Sequence, residues 1–225
     1  MRKVDHMARK FGLALVALAA IAVGGWVSLG GRSADPTLPG LGMAGAQTAT
    51  VEVPEIVIGN PDAKVVVTEY ASFTCPHCAS FHGAVFKPLK VDYIDTGKIK
   101  FVYREVYFDR YGLWAAMVAR CGGEMRYFGI SDILYSAQAE WSGSNDATAV
   151  VENLRKIGRT AGMSNDELDV CLQNADMAQA MVAKFQADSK ADNIDSTPSL
   201  IINGEKHSNM SYADLKAIID AKLAE

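Results

Sequence analysis

Apolar residues recur at every second position in some stretches of the chain and at every third or fourth position in others. The segment VEVPEIVIG at residues 51–59 predicts a short first strand, which Pro54 restricts to a sheet edge or a bulge because proline has no N–H to donate. An NPD turn follows at residues 60–62. The β-branched run KVVVTEYASF at residues 64–73 is then typical of a buried central strand.

The second predicted unit is a helix followed by a strand. Residues 75–94 place apolar side chains at helical spacing, and we expect Pro88 to kink this helix. KIKFVYREV at residues 98–106 predicts the next strand. From about residue 109 to 190 the segments are helix-rich and are separated by Gly, Ser and Asn. We interpret this region as an all-helical insertion.

The last predicted unit is a hairpin followed by a helix. TPSLIINGEKHS at residues 197–208 contains Asn203-Gly204, the strongest short turn signal in the chain. Residues 211–225 predict an amphipathic helix capped by Ser211. The order of elements therefore predicts one α/β domain at residues 51–225, interrupted by the helical insertion.

Residues 1–31 predict a membrane-targeting segment, because a basic beginning is followed by residues 11–31, which carry no charge. The pattern fits a cleaved signal peptide or a retained hydrophobic helix that anchors the chain. The best cleavage motif, AGA at residues 44–46, lies far behind the apolar core, which favours the anchor and leaves both open. Residues 32–50 are rich in Pro, Gly, Ala, Ser and Thr and predict a flexible linker. In either case we expect the remainder in the periplasm.

The composition supports a folded domain and disfavours one class of partner. Hydrophobic residues make up 49% of the 225 positions, which is enough for a substantial core. The formal net charge is −4, and because residues 1–35 contribute +3, residues 36–225 carry −7. Phosphate contacts require clustered Lys and Arg on the folded part of a protein. We therefore expect no nucleic-acid partner.

The candidate chemistry lies in the CPHC motif, which follows the central strand and opens the predicted helix. Cys75 would then face the unpaired N–H groups and the positive end of the helix dipole, which favour a thiolate. Pro76 suits the first helical turn, and Cys78 lies one turn on, within bonding reach. His77 adds a donor or a positive charge close to the Cys75 sulfur. A stabilised thiolate makes the disulfide easier to reduce and hence more oxidising.

Two other interpretations of the CPHC motif are weaker. A four-ligand zinc site usually needs a second close pair, whereas Cys121 and Cys171 are far apart and the four histidines show no ligand spacing. We therefore expect no metal. An inert structural bridge is disfavoured because so short a bridge at a helix start is strained and reactive. We expect His82 and His207 at the surface.

The CPHC motif, its aromatic flank SFTCPHC, the strand before it and the segment STPSLIING after the insertion resemble the thioredoxin superfamily. Within that superfamily they match the DsbA-like thiol:disulfide oxidoreductases. The resemblance covers most of residues 51–225 and implies a thioredoxin fold with a helical insertion. It also implies that Thr197 and Pro198 are joined by a cis peptide bond beside the redox cysteines, where their backbone docks a substrate chain.

Three further residues take their expected roles from this resemblance. Glu69 matches an acidic residue that lies under the active site and can accept a proton from Cys78, although the alternation of the strand does not settle which face is buried. Cys121 and Cys171 resemble the extra pair of one DsbA-like branch. Joined, they would form a structural staple that closes a loop of about 50 residues and contributes roughly 4 kcal/mol.

The resemblance further implies a protein dithiol–disulfide oxidase in which a substrate thiolate attacks Cys75 and Cys78 is the resolving partner. Its substrates would be cysteine-containing exported polypeptides, and a quinone-linked DsbB-like membrane protein would reoxidise it. We expect a monomer without a prosthetic group, because the disulfide itself carries the electrons. An isomerase or reductase, or a membrane-tethered chaperone without redox turnover, stays open. The short, Gly/Pro-rich segment 32–50 makes a poor oligomerisation stalk, which favours the oxidase.

Overall fold

The computed structural model describes residues 51–225, so the predictions for the leader at residues 1–31 and the linker at 32–50 lie outside the described residues. Five strands form one sheet in the order β1-β3-β2-β4-β5. The strands are β1 (Ile56–Gly59), β2 (Val65–Ala71), β3 (Ile99–Glu105), β4 (Ser199–Ile202) and β5 (Glu205–Ser208). The three strand segments predicted from the sequence and the predicted hairpin are confirmed.

Strand β2 lies at the centre of this sheet. It runs parallel to β3, with Glu69 opposite Tyr103, and antiparallel to β4, with Glu69 opposite Leu200. Strands β1 and β5 pair antiparallel at the two edges. Nearly every side chain of β2 is buried, because helices cover both faces of a central strand whose neighbour is reached by a helical crossover.

The helix after the CPHC motif occupies residues 76–94 in four segments. They are α1 (Pro76–Phe81), a π-helical segment (His82–Phe86), α2 (Lys87–Leu89) and a second π-helical segment (Lys90–Ile94). Pro88 lies between the two π segments. Its ring would collide with the carbonyl four residues back in a regular helix, and the wider π turn accommodates it.

The predicted helical insertion is confirmed and consists of six helices. They are α3 (Arg110–Cys121), α4 (Glu124–Ser136), α5 (Gln138–Ser142), α6 (Ala147–Thr160), α7 (Asn165–Leu172) and α8 (Ala175–Ala191). Four of them begin after a polar side chain that accepts a backbone N–H of the first turn, and these caps are Asp109, Asp146, Ser164 and Asn174. The local sequence therefore fixes where most of these helices start.

The hairpin and the last helix, α9 (Tyr212–Ala224), complete the domain. Asn203 and Gly204 both adopt positive φ, at 46° and 88°, as a two-residue hairpin turn requires. The Asn203 side chain also accepts the N–H of Val66 at 2.8 Å and thus joins the hairpin tip to β2. This order of strands and helices is the thioredoxin fold with a helical insertion that the sequence predicts.

A buried polar cluster joins β3 to the insertion. The Arg120 guanidinium makes three hydrogen bonds to Glu105. Its Nε donates to Oε1 at 2.8 Å and to Oε2 at 3.1 Å, and its Nη2 donates to Oε2 at 2.5 Å. The hydroxyls of Tyr127 and Tyr107 donate to the same carboxylate at 2.8 and 3.1 Å. A buried carboxylate with this many donors is well compensated for the loss of water.

Cys121 and Cys171 form a disulfide in the structure, with their Cα atoms 5.9 Å apart. The bridge connects α3 to α7 within the insertion.

Among residues 51–225, no helix combines the length and the apolar character needed to cross a bilayer.

We expect the paired replacement Cys121→Ser and Cys171→Ser to lower the free energy of unfolding by about 4 kcal/mol, because the bridge spans 50 residues and restricts the unfolded chain. Denaturant unfolding under oxidising conditions measures this difference. The difference should vanish in excess dithiothreitol, which opens the bridge in the parent protein as well. Equal stability of the two proteins without the reductant would contradict a stapling role.

Candidate active site

The CPHC motif lies at the N-terminus of α1, directly after the central strand. Cys75 is the N-cap residue and is extended, at φ −85° and ψ 118°, while Pro76 is the first helical residue. The Cys75 carbonyl accepts the N–H groups of Cys78 and Ala79, each at 3.1 Å, and so starts the helix. Cys75 is partly exposed and Cys78 is fully buried, and the two are not bonded to each other. One sulfur is therefore accessible and the other is not.

The surroundings of Cys75 favour its thiolate. Burial alone would raise the pKa of the Cys75 thiol. The Thr197 side chain and the backbone N–H of Cys78 oppose this effect, as do the Cys78 thiol and the backbone N–H of His77. Together they hold the pKa of Cys75 below its ordinary value, because each stabilises the negative charge.

His77 acts here through its main chain. Its side chain is exposed, and its contribution to the pKa of Cys75 comes from its backbone N–H. Pro76 is also exposed at the rim of the site. The expectation that the His77 imidazole tunes Cys75 stays a prediction.

Cys78 has the opposite environment. Burial raises the pKa of the Cys78 thiol far above its ordinary value, and the charges of Glu69 and Cys75 act in the same direction. Contacts with Thr197 and Ser72 lower it only in part. The partly exposed cysteine therefore loses its proton more readily than the buried one.

Glu69 lies in the core beneath the cysteines. It is 2% exposed, and burial raises its pKa from 4.5 to about 8. Among the described residues, no hydrogen bond or neighbouring charge contributes to this shift. Its neighbour across the sheet, Tyr103, shares a hydrogen bond with Tyr135 from α4, with 2.5 Å between the hydroxyl oxygens. The face of β2 that the sequence left open is therefore buried, like the opposite one.

The bend at Thr197 and Pro198 lies beside the CPHC motif, because β4 pairs antiparallel with β2 and begins where β2 ends. The peptide bond between them is cis. The Cys75 Sγ lies 3.6 Å from the Thr197 carbonyl oxygen, to which the neutral thiol can donate. The Thr197 hydroxyl is buried and has no hydrogen-bond partner among the described residues, so its proton is free to turn toward a thiolate. Of the sequence-predicted site residues, only Cys121 and Cys171 lie outside this cluster.

Two residues of the insertion contact the loop around Cys75, and neither was predicted from the sequence. The Gln138 amide donates to the carbonyls of Phe73 and Cys75, at 2.7 and 3.0 Å. The Thr74 hydroxyl donates to Asp109 at 2.8 Å. The capping pattern before α3 could have singled out Asp109. No local signal marks Gln138, because its partners are more than 60 residues away in sequence.

The expectation that His82 lies at the surface is wrong. His82 is 5% exposed, its ring stacks on Phe86 with 4.9 Å between centroids, and its Nε2 lies 3.1 Å from Asp132 Oδ1. Burial lowers the pKa of His82 and outweighs the opposing effect of Asp132. The cause is packing of α4 over the first π-helical segment, a tertiary contact that helical spacing alone does not reveal.

Within residues 51–225, no group of three or more His, Cys, Asp or Glu side chains is arranged to hold a metal ion. The reactive groups of the site are two thiols and one carboxyl group, and they lie beside a cis-proline bend.

The family model described as thioredoxin matches residues 51–221.

The chain belongs to the thioredoxin family.

Relatives place this thioredoxin-family chain more closely. A protein of Rickettsia bellii, named provisionally as a protein-disulfide oxidoreductase, is 37% identical over 179 residues, which cover 79% of this chain and 68% of that relative. The chain spans about two thirds of the length of the Rickettsia proteins it matches.

Solved structures agree with this placement. The crystal structure of Wolbachia pipientis α-DsbA1 superimposes with a TM-score of 0.71 at 26% identity, covering 77% of this chain and 94% of that one. A protein-disulfide isomerase from Novosphingobium aromaticivorans gives 0.69 at 26% identity, covering 76% and 98%. The chain is a DsbA-like member of the thioredoxin superfamily, a family of thiol:disulfide oxidoreductases, as the sequence motifs predict.

We expect Glu69→Gln to stabilise the reduced protein increasingly as the pH rises. The pKa of Glu69 is about 8 in the folded protein against 4.5 ordinarily, so the parent loses stability relative to a neutral side chain between these values. The gain should be on the order of 3 kcal/mol near pH 7. Denaturant unfolding of both proteins at several pH values measures it.

The same variant supplies its own control. Well below pH 4.5 Glu69 is protonated in both the folded and the unfolded protein, so the two proteins should unfold alike. A stability difference that does not change with pH would mean that the carboxyl group is not held neutral by burial.

Proposed function

We propose that this protein is a periplasmic disulfide oxidase, which introduces disulfides into exported polypeptides through Cys75 and Cys78. The observation that carries the proposal is the unequal pair of thiols at the start of α1. The pKa of the partly exposed Cys75 is lowered, and that of the buried Cys78 is raised. A low pKa on the exposed cysteine stabilises the reduced form and so favours electron flow into the protein.

The reaction begins with the oxidised protein, in which Cys75 and Cys78 are bonded. A substrate thiolate attacks the Cys75 sulfur, the bond between Cys75 and Cys78 breaks, and Cys78 leaves with the electron pair. A second substrate thiolate attacks the substrate sulfur of the mixed disulfide. Cys75 then leaves as a thiolate, the substrate disulfide forms, and two electrons have passed to the protein.

The buried residues handle the proton that accompanies this exchange. Cys78 leaves into an environment that raises its pKa, so it must take up a proton. Glu69, with a pKa of about 8, holds a proton near neutral pH and can supply it. When Cys78 attacks a mixed disulfide, the same carboxyl group accepts the proton.

Thr197 and Pro198 dock the substrate chain. The cis bend lies against the Cys75 sulfur and directly precedes β4, so an extended peptide can pair with its backbone beside the reactive thiol. The His77 imidazole is exposed at the same rim, where it can add positive charge next to the departing thiolate.

The cellular setting follows from the leader and from the chemistry. The targeting segment at residues 1–31 exports the domain to the periplasm, where it is released or held at the inner membrane. Turnover requires an oxidant, and a DsbB-like membrane protein is the partner we propose. The protein acts as a monomer, without a prosthetic group and without nucleic acid.

A disulfide isomerase is the second candidate, because the Novosphingobium structure of similar fold carries that name. Reoxidation of reduced ribonuclease and refolding of scrambled ribonuclease separate the two. The oxidase should accelerate the first and have little effect on the second, whereas an isomerase should rescue the scrambled enzyme efficiently.

We expect Cys75→Ser to abolish oxidation of a dithiol peptide, because the substrate thiolate then has no disulfide to attack. Cys78→Ser should instead accumulate mixed disulfides through Cys75, since no resolving thiol is present. The peptide in this assay carries a disulfide: the Cys75 thiolate attacks one of its sulfurs, the peptide disulfide breaks, and the other sulfur leaves as a thiolate. Non-reducing electrophoresis detects the resulting mixed disulfide. A parent protein that does not oxidise the peptide, together with a Cys75→Ser variant that binds the peptide as well as the parent does, would instead support a chaperone without redox turnover.

The direction of electron flow has a separate measurement. Titration of the Cys75 thiolate by its ultraviolet absorbance should give a pKa well below the ~8.5 of a free thiol. A value at or above that of a free thiol would remove the basis of the oxidase assignment.

A further inference from the structure

The segment between β2 and α1 carries the reactive cysteine, yet it belongs to neither element. Its carbonyls at Phe73 and Cys75 point toward the insertion, where α5 begins with Gln138. The Gln138 side chain is partly buried, and its Nε2 donates to Phe73 O at 2.7 Å and to Cys75 O at 3.0 Å. Both hydrogens of one amide group are thus used on the two carbonyls that bracket Thr74 and Cys75.

The sequence of the motif explains why a side-chain donor is needed here. A tight turn would satisfy the Phe73 carbonyl with the N–H of the residue three positions on. That residue is Pro76, which has no N–H. The Gln138 amide takes this place and leaves Pro76 free to occupy the first turn of α1.

The contact also acts on the residue that performs the chemistry. Cys75 has its N-cap conformation, φ −85° and ψ 118°, only while the peptide units on both sides of it keep their orientation. That conformation directs its sulfur to the backbone N–H groups of His77 and Cys78 and toward Thr197. The Thr74 hydroxyl also donates a hydrogen bond to Asp109. This contact restrains the Thr74 side chain, but it does not restrain the carbonyl of Cys75.

We propose that Gln138 is a positioning residue, which holds the Phe73–Thr74 and Cys75–Pro76 peptide units in place so that the thiol stays at the N-terminus of α1. Gln138 does not touch the substrate or the sulfur in this role. It acts through the main chain of Phe73 and Cys75. The inference rests on the proposed function only in taking Cys75 as the reactive thiol.

The test replaces Gln138 by Met, which keeps the length of the side chain and removes both donors. We expect the pKa of Cys75 to rise by about half to one unit, a three- to tenfold smaller thiolate population below the pKa. The rate of dithiol oxidation should fall by a similar factor through kcat, while KM stays unchanged because the Thr197–Pro198 bend is intact. Thiolate absorbance and steady-state kinetics measure the two effects.

Gln186→Met is the matched control. Gln186 is an exposed residue of α8, so the same chemical change there should leave the thiolate titration and kcat as in the parent. Gln138→Glu is the second variant, because a carboxylate repels the two carbonyl oxygens and should raise the pKa of Cys75 more than Met does. It also keeps the test usable where Gln138→Met fails to fold.

The outcomes are distinct. A parent protein with an ordinary thiol pKa would overturn the proposed oxidase, whatever Gln138 does. A parent with a low pKa that both Gln138 variants retain would overturn the positioning role alone. Lower thermal stability with an unchanged titration, or a change confined to KM, would also overturn it, since either would make Gln138 a structural or a substrate-contacting residue.

Discussion

The site depends on one electrostatic arrangement, the placing of a sulfur atom against the unpaired N–H groups at the start of α1. Those groups have no partners within the helix, and their partial positive charge stabilises a thiolate at the N-cap. Cys75 occupies that position because β2 ends just before it and Pro76 begins the helix. The rest of the fold orients this helix end, because the cis bend contacts the Cys75 sulfur and the insertion contacts the Cys75 carbonyl.

A helix terminus alone does not distinguish the two cysteines, since they are three residues apart. Burial does. Cys78 faces the core above Glu69, where a charge is costly, whereas Cys75 opens to solvent and to the polar groups of Thr197. The same low-polarity interior therefore raises one pKa and leaves the other to be lowered by local hydrogen bonds. The two thiols therefore differ in pKa because they differ in burial, and not because of the CPHC sequence itself.

The sequence predicted what local patterns encode. The strands, the insertion and the Asn203-Gly204 turn follow from periodicity and turn chemistry, and the family follows from the CPHC motif with STPSLIING. Contacts between distant segments could not be predicted from local patterns, and the two that were expected, at the Thr197–Pro198 bend and between Cys121 and Cys171, came from the family resemblance. Gln138 has no capping or periodic signal, and His82 is buried by α4, which no pattern in its own helix indicates. For Glu69, alternation carries no information because both faces of β2 are covered.

The core holds two carboxyl groups on neighbouring strands, and it treats them differently. Glu105 on β3 receives a guanidinium and two tyrosine hydroxyls, so its burial is compensated. Glu69 on β2 is just as buried, and within residues 51–225 no hydrogen bond or charge offsets the rise in its pKa that burial causes. A fold able to pair one buried carboxylate gains no stability from leaving another unpaired. An uncompensated acid beneath a cysteine that must exchange a proton is better explained by chemistry than by packing, which supports the proposed role of Glu69.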